Sequence, residues 1–320
     1  MRGAWRRLAE AGVLGINRRN ADFTLMYNRR DCIALVDDKL VTKALAQARG
    51  IAVPELYGAV EIEHDVRRLP RMLAGRNEFV VKPARGSGGD GILVVAGRFR
   101  DMYRRVSGAL MDQSDLNHHV SNILSGMYSL GGFPDKALIE YRVEFDPVFE
   151  AISYQGVPDV RIIVFLGVPV MAMVRLPCRL SDGRANLHQG AIGTGVDMAT
   201  GRTLTAVWRT EVVAEHPDTG NPVTGVAIPH WPRMLETAAG CFEMTGLGYQ
   251  GVDLVLDRTR GPMMLEINAR PGLNIQIANR AGLLNRLRQV QAVVPELHTV
   301  EQRVAFARER FAVRPSGILR

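Results

Sequence analysis

Three oxygen-bearing side chains in the C-terminal third, Asp253, Glu266 and Asn268, have the types and spacing to seat a hard cation. Asp253 lies in the run Gly251-Val252-Asp253-Leu254-Val255-Leu256-Asp257. Glu266 and Asn268 lie in Met263-Met264-Leu265-Glu266-Ile267-Asn268, and Arg258-Thr259-Arg260-Gly261-Pro262 stands between the two runs. Apolar residues alternating on either side of a turn predict strand, turn, strand. Glu266 and Asn268 are two apart and share a face, and a hairpin sets Asp253 opposite them. Such oxygens make a poor core, because buried acids need a partner. Two facing carboxylates repel each other unless an ion sits between them. Mg²⁺, which takes few carboxylates and fills its shell with water and phosphate, is the expected ion. The hairpin points to nucleotide-dependent chemistry.

A second pattern stands upstream, at Phe79-Val80-Val81-Lys82-Pro83-Ala84-Arg85-Gly86-Ser87-Gly88-Gly89-Asp90-Gly91-Ile92-Leu93-Val94-Val95. A short strand ends in a lysine, four glycines and a serine follow within six residues, and an apolar strand resumes. Glycine lets backbone N–H groups close over phosphates, and lysine supplies a point charge. No Gly-Lys-Ser/Thr closes the loop and no helix pattern follows it, which excludes a P-loop and a dinucleotide fingerprint. The chain has four lysines (Lys39, Lys43, Lys82, Lys136) against thirty-six arginines, yet lysine stands at the mouth of this loop. Its compact, flexible charge suits a phosphate tail better than arginine's planar fork.

The elements that must position these residues are legible in outline. Residues 4–30 read as an arginine-rich helix and loop. Asp38 caps a helix with Leu40, Val41, Ala44, Leu45 and Ala48 on one face and Gly50 at its stop. Residues 51–140 form a small α+β lobe with a helical middle at about 100–128, and a larger lobe follows from 141. That lobe holds strands at 160–166 and 169–176, a loop at 178–195, a helix near 232–245, the acidic hairpin and a closing helix after Asn274. The expected domains are 1–36, 37–140 and 141–320. His118-His119 on the helical middle resembles a metal pair only superficially, because adjacent helical residues point about 100° apart; both read as surface or loop residues.

Length and composition set limits. With 320 residues, 47% of them hydrophobic, the chain can bury a sizeable core as one or two domains. Seven of the first thirty residues are arginine, against Glu10 and Asp22, so +5 of the net +7 sits there. That segment reads as a solvated basic helix packed on the body, with a membrane-associated partner as the alternative; nothing supports a nucleic-acid partner. Cys32, Cys178 and Cys241 are odd in number and far apart, which implies neither a disulfide framework nor a zinc site and fits the cytoplasm. The longest apolar run, Ile162 to Val174, is too short for a bilayer, which needs about twenty residues, and is broken by Gly167-Val168-Pro169. It reads as a buried β-hairpin.

Taken in order, Asp38-Lys39-Leu40, the Val80-Val81-Lys82-Pro83 loop, Leu138-Ile139-Glu140-Tyr141, Gly251-Val252-Asp253 and Leu265-Glu266-Ile267-Asn268 resemble the ATP-grasp superfamily. Gly183-Arg184-Ala185-Asn186-Leu187-His188-Gln189-Gly190 resembles a stretch of the RimK-type glutamate ligases, and the proteins related to alpha-L-glutamate ligases match best. The resemblance spans about residues 36–285. It implies an α+β ATP-grasp fold with the nucleotide between two largely antiparallel sheets and the usual preceding α/β domain missing or truncated. It further implies ATP and one or two Mg²⁺ ions, Mn²⁺ being an alternative, held by Asp253, Glu266 and Asn268. Lys39 and Lys82 would contact the phosphates under a lid of Gly86, Ser87, Gly88 and Gly89. The hinge at Glu140 and Tyr141 would read adenine, with Glu140 accepting from its amino group, and Asp159 would hold the ribose, with Glu144 and Glu150 as fallbacks.

Arg161, Arg175 and Arg184 would line the acceptor side and Arg270 would stand beside the transferring phosphate; His188 and Asn186 match the family loop. The implied reaction is ATP-dependent carboxylate–amine ligation through an acylphosphate. An acidic amino acid such as glutamate would be one substrate, and an acceptor on a peptide, protein or polysaccharide the other. A non-catalytic nucleotide-binding partner of a membrane assembly and a kinase-like phosphotransferase are the alternatives.

Overall fold

A computed structural model describes residues 2–86, 88–129 and 131–313. The chain divides into two compact units. One gathers Asp37–Ala44 and Val53–Glu144; the other gathers the segment up to Val36, Leu45–Ala52 and the chain from Phe145 onward.

The smaller unit is built on a six-stranded antiparallel sheet ordered β1-β6-β2-β3-β4-β5. The strands are β1 (Leu56–Val60), β2 (Phe79–Pro83), β3 (Leu93–Phe99), β4 (Met102–Arg105), β5 (Leu110–Met111) and β6 (Ala137–Glu140). β2 and β3 pair as expected on either side of the glycine loop, and β6 inserts between β1 and β2. The expected helical middle is shorter than its sequence suggests: β4 and β5 occupy its first part, and the helix runs only over Gln113–Leu124. Asp112 starts that helix by accepting from the Asp115 amide in a capping box. Leu116, Val120 and Ile123 bury one helix face against Phe79, Val81 and Val95 of the sheet.

The larger unit holds seven antiparallel strands ordered β11-β10-β9-β8-β7-β12-β13. These are β7 (Asp159–Phe165), β8 (Val168–Leu176), β9 (Ile192–Val196), β10 (Thr203–Trp208), β11 (Glu211–Val213), β12 (Tyr249–Asp257) and β13 (Gly261–Asn268). β7 and β8 are the buried hairpin read from the apolar run. Every residue of β12 is buried, since β7 and β13 flank it and the helix Trp231–Thr245 packs on the sheet. Among the described residues no helix is long and apolar enough to cross a membrane.

The arginine-rich segment packs onto the larger unit. Gln276 exchanges hydrogen bonds with the backbone of Leu14, and Asn28 donates to the carbonyls of Tyr249 and Ala269. Phe23, Tyr27, Phe165 and Tyr249 form an aromatic cluster. Arg19 is buried, and its guanidinium donates to the Pro271 carbonyl at 2.7 Å. The segment thereby fixes the chain just after Asn268.

Candidate functional site

In the smaller unit two lysines meet on one carboxylate. Glu140 ends β6 beside Val80 of β2, and Lys82 projects from β2. Lys82 Nζ lies 2.5 Å from Glu140 Oε1, and Lys43 Nζ lies 2.9 Å from Oε2. All three side chains are buried. Burial alone would raise the Glu140 carboxyl, but the two ammoniums outweigh it and hold the group below its ordinary range. Burial also lowers the Lys43 ammonium, against the pull of Glu140. In this structure the Glu140 oxygens face lysines, Oε1 towards Lys82 and Oε2 towards Lys43. Sequence reasoning missed Lys43. Its signal was the scarcity of lysine together with its place one turn after Lys39 on the helix Lys39–Ala48.

Lys39 stands at that helix's start, which Asp38 caps by accepting from the Leu40 amide, and its Nζ donates to the Gly86 carbonyl at 2.7 Å. The glycine loop is tied at both ends. Gly86 bridges to Ser129, while the Asp135 carboxylate accepts from the Arg85 and Lys136 amides and the Ser129 hydroxyl. At the far end His119 Nε2 lies 3.0 Å from the Gly91 carbonyl. His119 is therefore not a free surface histidine; it anchors the loop from the helix Gln113–Leu124. Gly88, Gly89 and Gly91 all have positive φ, which is why the loop needs glycine there. Ser87, expected in the same loop, lies outside the described residues.

Gly91 combines φ +75° with a Tyr128 ring only 2.6 Å from where a Cβ would sit. Gly91→Ala is expected to cost about 1–3 kcal/mol from backbone strain alone. A lower melting temperature together with weaker ATP binding would match this, and an unchanged protein would show that the loop end is not held as described.

In the larger unit the acids meet as the hairpin predicted. Asp253 pairs across the sheet with Glu266 on β13 and with Arg161 on β7, so Arg161, Asp253 and Glu266 form one row over three strands. A bulge after Asp253 lets Glu266 oppose it while Leu254 faces Met264. The Asn268 amide donates to Asp253 Oδ2 at 3.2 Å and to Glu266 Oε1 at 3.3 Å. Arg161 grips Asp253 with both edges of its fork, Nε to Oδ1 at 2.7 Å and Nη2 to Oδ2 at 2.6 Å. Arg175 reaches Asp253 Oδ2 at 2.8 Å and also clasps both oxygens of Asp159.

Burial opposes the charge on Asp253, yet Arg161 and Arg175 prevail and hold its carboxyl far below the ordinary range. Asp159 shares Arg175 with that stronger acid, and burial pushes it up to about 6. Asp159 faces Arg175 inside the sheet, and Arg161 and Arg175 neutralise the acids. The repulsion foreseen between the hairpin carboxylates is met by guanidiniums.

The remaining candidates lie at the surface. Arg270 and Arg184 are exposed, as is His188, whose amide donates to Asn186 Oδ1 at 3.0 Å. Tyr141 is half-buried and its amide donates to the Glu55 carbonyl. Glu144 is exposed, and Glu150 pairs with Arg258.

One unit thus carries a lysine-flanked glycine loop on an antiparallel sheet, and the other carries paired acids beside an asparagine. Residues 18–292 match the family described as sugar-transfer associated ATP-grasp, and the chain belongs to that family. Among curated proteins it is 26% identical over 252 residues to a probable alpha-L-glutamate ligase of Pseudoalteromonas translucida (strain TAC 125), covering 78% of this chain and 62% of that one. A namesake from Aeromonas salmonicida (strain A449) is 26% identical over 250 residues, covering 78% and 61%. The chain thus spans about three fifths of the length of these relatives. Of solved structures, the D-alanine-D-alanine ligase from Coxiella burnetii is 15% identical with a TM-score of 0.46, covering 88% of this chain and 60% of that one. The D-cycloserine synthetase DcsG is 18% identical with a TM-score of 0.45, covering 83% and 72%.

ATP-grasp membership implies ATP and Mg²⁺, and the residues present fit that pair in kind. Among the described residues no three His, Cys, Asp and Glu side chains gather for a metal. The oxygen donors are instead the Asp253 and Glu266 carboxylates and the oxygen of the Asn268 amide, whose Nδ2 here donates to both acids; so few carboxylates suit Mg²⁺, which keeps water and phosphate in its shell.

Proposed function

We propose that this chain is an ATP-dependent ligase joining a carboxylate to an amine, with an acidic amino acid, glutamate first, as one substrate. The observation that carries the reading is the Asp253, Glu266 and Asn268 cluster on facing strands of a chain that belongs to an ATP-grasp family. In this reading Lys39 and Lys82 hold the phosphates and the backbone of Gly86–Gly91 closes over them to keep water out. Asp253, Glu266 and Asn268 would hold Mg²⁺, which when bound neutralises charge developing on the phosphate oxygens. A substrate carboxylate attacks the γ-phosphorus and ADP leaves, giving an acylphosphate. The amine then attacks the acyl carbon, phosphate departs, and the nitrogen loses a proton as the amide forms.

With Arg161 and Arg175 committed to Asp253 and Asp159, the acidic substrate is supported by the names of the curated relatives and by the exposed Arg184 alone. The test is a screen of amino acids and short peptides for phosphate release from ATP and Mg²⁺. Release that requires a carboxylate and an amine together is the expected result. Release with the carboxylate alone and a stable phosphorylated product would indicate a kinase-like enzyme. ATP binding without turnover on any acceptor would indicate a nucleotide-binding partner.

A further inference from the structure

We propose that Arg161 and Arg175 are resident counter-ions of the metal seat, so that it takes up a divalent cation tightly only together with nucleotide phosphates. The inference rests on the reading of Asp253, Glu266 and Asn268 as the metal ligands. Asp253 is 1% exposed, and its Oδ2 already accepts from Arg161, Arg175 and Asn268. Its Oδ1 accepts from Arg161. The acids Asp159, Asp253 and Glu266 carry three negative charges and the two arginines two positive ones, which leaves a net of one negative charge. A divalent ion entering alone would turn that site positive and would have to displace a guanidinium from a buried carboxylate. A displaced guanidinium keeps a partner when phosphate oxygens arrive with the ion, because arginine binds phosphate through the same fork. Arg161 and Arg175 are therefore positioning residues that set the order of loading.

The experiment is calorimetric titration of Mn²⁺ into wild type, Arg161→Met, Arg161→Gln and Arg161→Lys, each with and without saturating ADP. Melting curves verify folding; Arg161→Gln keeps one donor to Asp253 where the methionine variant fails to fold. Wild type is expected to bind Mn²⁺ at least about tenfold more tightly with ADP than without, within the usual range of coupling between two sites. Arg161→Met and Arg161→Gln are expected to bind Mn²⁺ at least about tenfold more tightly than wild type without ADP, since a nearby positive charge is gone. Arg161→Lys, which keeps the charge, should retain the dependence on ADP. Equal Mn²⁺ affinity of wild type with and without ADP, or nucleotide-free affinity unchanged in both neutral variants, overturns the proposal while leaving the ligands assigned. Absence of Mn²⁺ binding to wild type even with ADP overturns the ligand assignment itself, and the counter-ion role with it.

Discussion

Glu266→Gln is expected to lower ATP-dependent phosphate release by at least about a hundredfold, the scale at which one strong contact to developing charge is lost. The substitution keeps the shape of the side chain and removes only its charge, in the row where Glu266 faces Asp253 across β12 and β13. Stability should change little. Glutamine can still hydrogen-bond to Asp253, as Glu266 does, and gives up only the attraction of Arg175. A melting temperature within about 2–4 °C of wild type, corresponding to about 1 kcal/mol for a domain of this size, is expected. Steady-state phosphate release with Mg²⁺ titrated is the readout. Full activity in Glu266→Gln, or in wild type with excess chelator, would falsify the metal assignment.

Glu140→Ala should act in the opposite way, chiefly on the fold. It leaves Lys43 and Lys82 as two buried ammoniums with no anion between them. Removing one partner from a buried ion pair costs about 3–5 kcal/mol. The loss should be local to the smaller unit, because all three tryptophans, Trp5, Trp208 and Trp231, belong to the other unit. Hydrogen exchange in β2 and β6 should therefore accelerate while tryptophan emission stays close to wild type. If Glu140 instead served adenine, the variant would keep its exchange protection and lose only ATP affinity. Isosteric Glu140→Gln separates charge from volume and should reproduce most of the effect.

The sequence made local patterns legible. The glycine loop, the acidic hairpin and the β7–β8 hairpin are each written within about thirty consecutive residues, where alternation and turn chemistry suffice. What stayed hidden depends on pairing between distant segments. Arg161 reaches Asp253 only because β7 and β12 are neighbours, and 92 residues separate them in the chain. The local Asp159-x-Arg161 pattern singles out the arginine but says nothing of its partner Asp253. The same holds for Arg19, buried on Pro271, and for Glu140, whose neighbours in the chain give no hint of Lys43 and Lys82. The short strands β4 and β5 were read as helix because Met102–Arg105 has no clean alternation and Leu110–Met111 is two residues long. His119 was read as a surface residue because its partner is a backbone carbonyl 28 residues upstream.

The central claim is that this chain binds ATP together with Mg²⁺, with Lys82 proposed at the phosphates and Glu266 at the metal. Calorimetric titration of ATP into wild type, Lys82→Ala and Glu266→Gln, each with Mg²⁺ and with chelator, tests it most directly. The account predicts binding by wild type that depends on Mg²⁺, at least about tenfold weaker in Lys82→Ala, where a charge-assisted contact to phosphate is lost. In Glu266→Gln the advantage conferred by Mg²⁺ should shrink towards the affinity seen in chelator. Equal affinity in all three proteins, or wild-type binding indifferent to chelator, would contradict it.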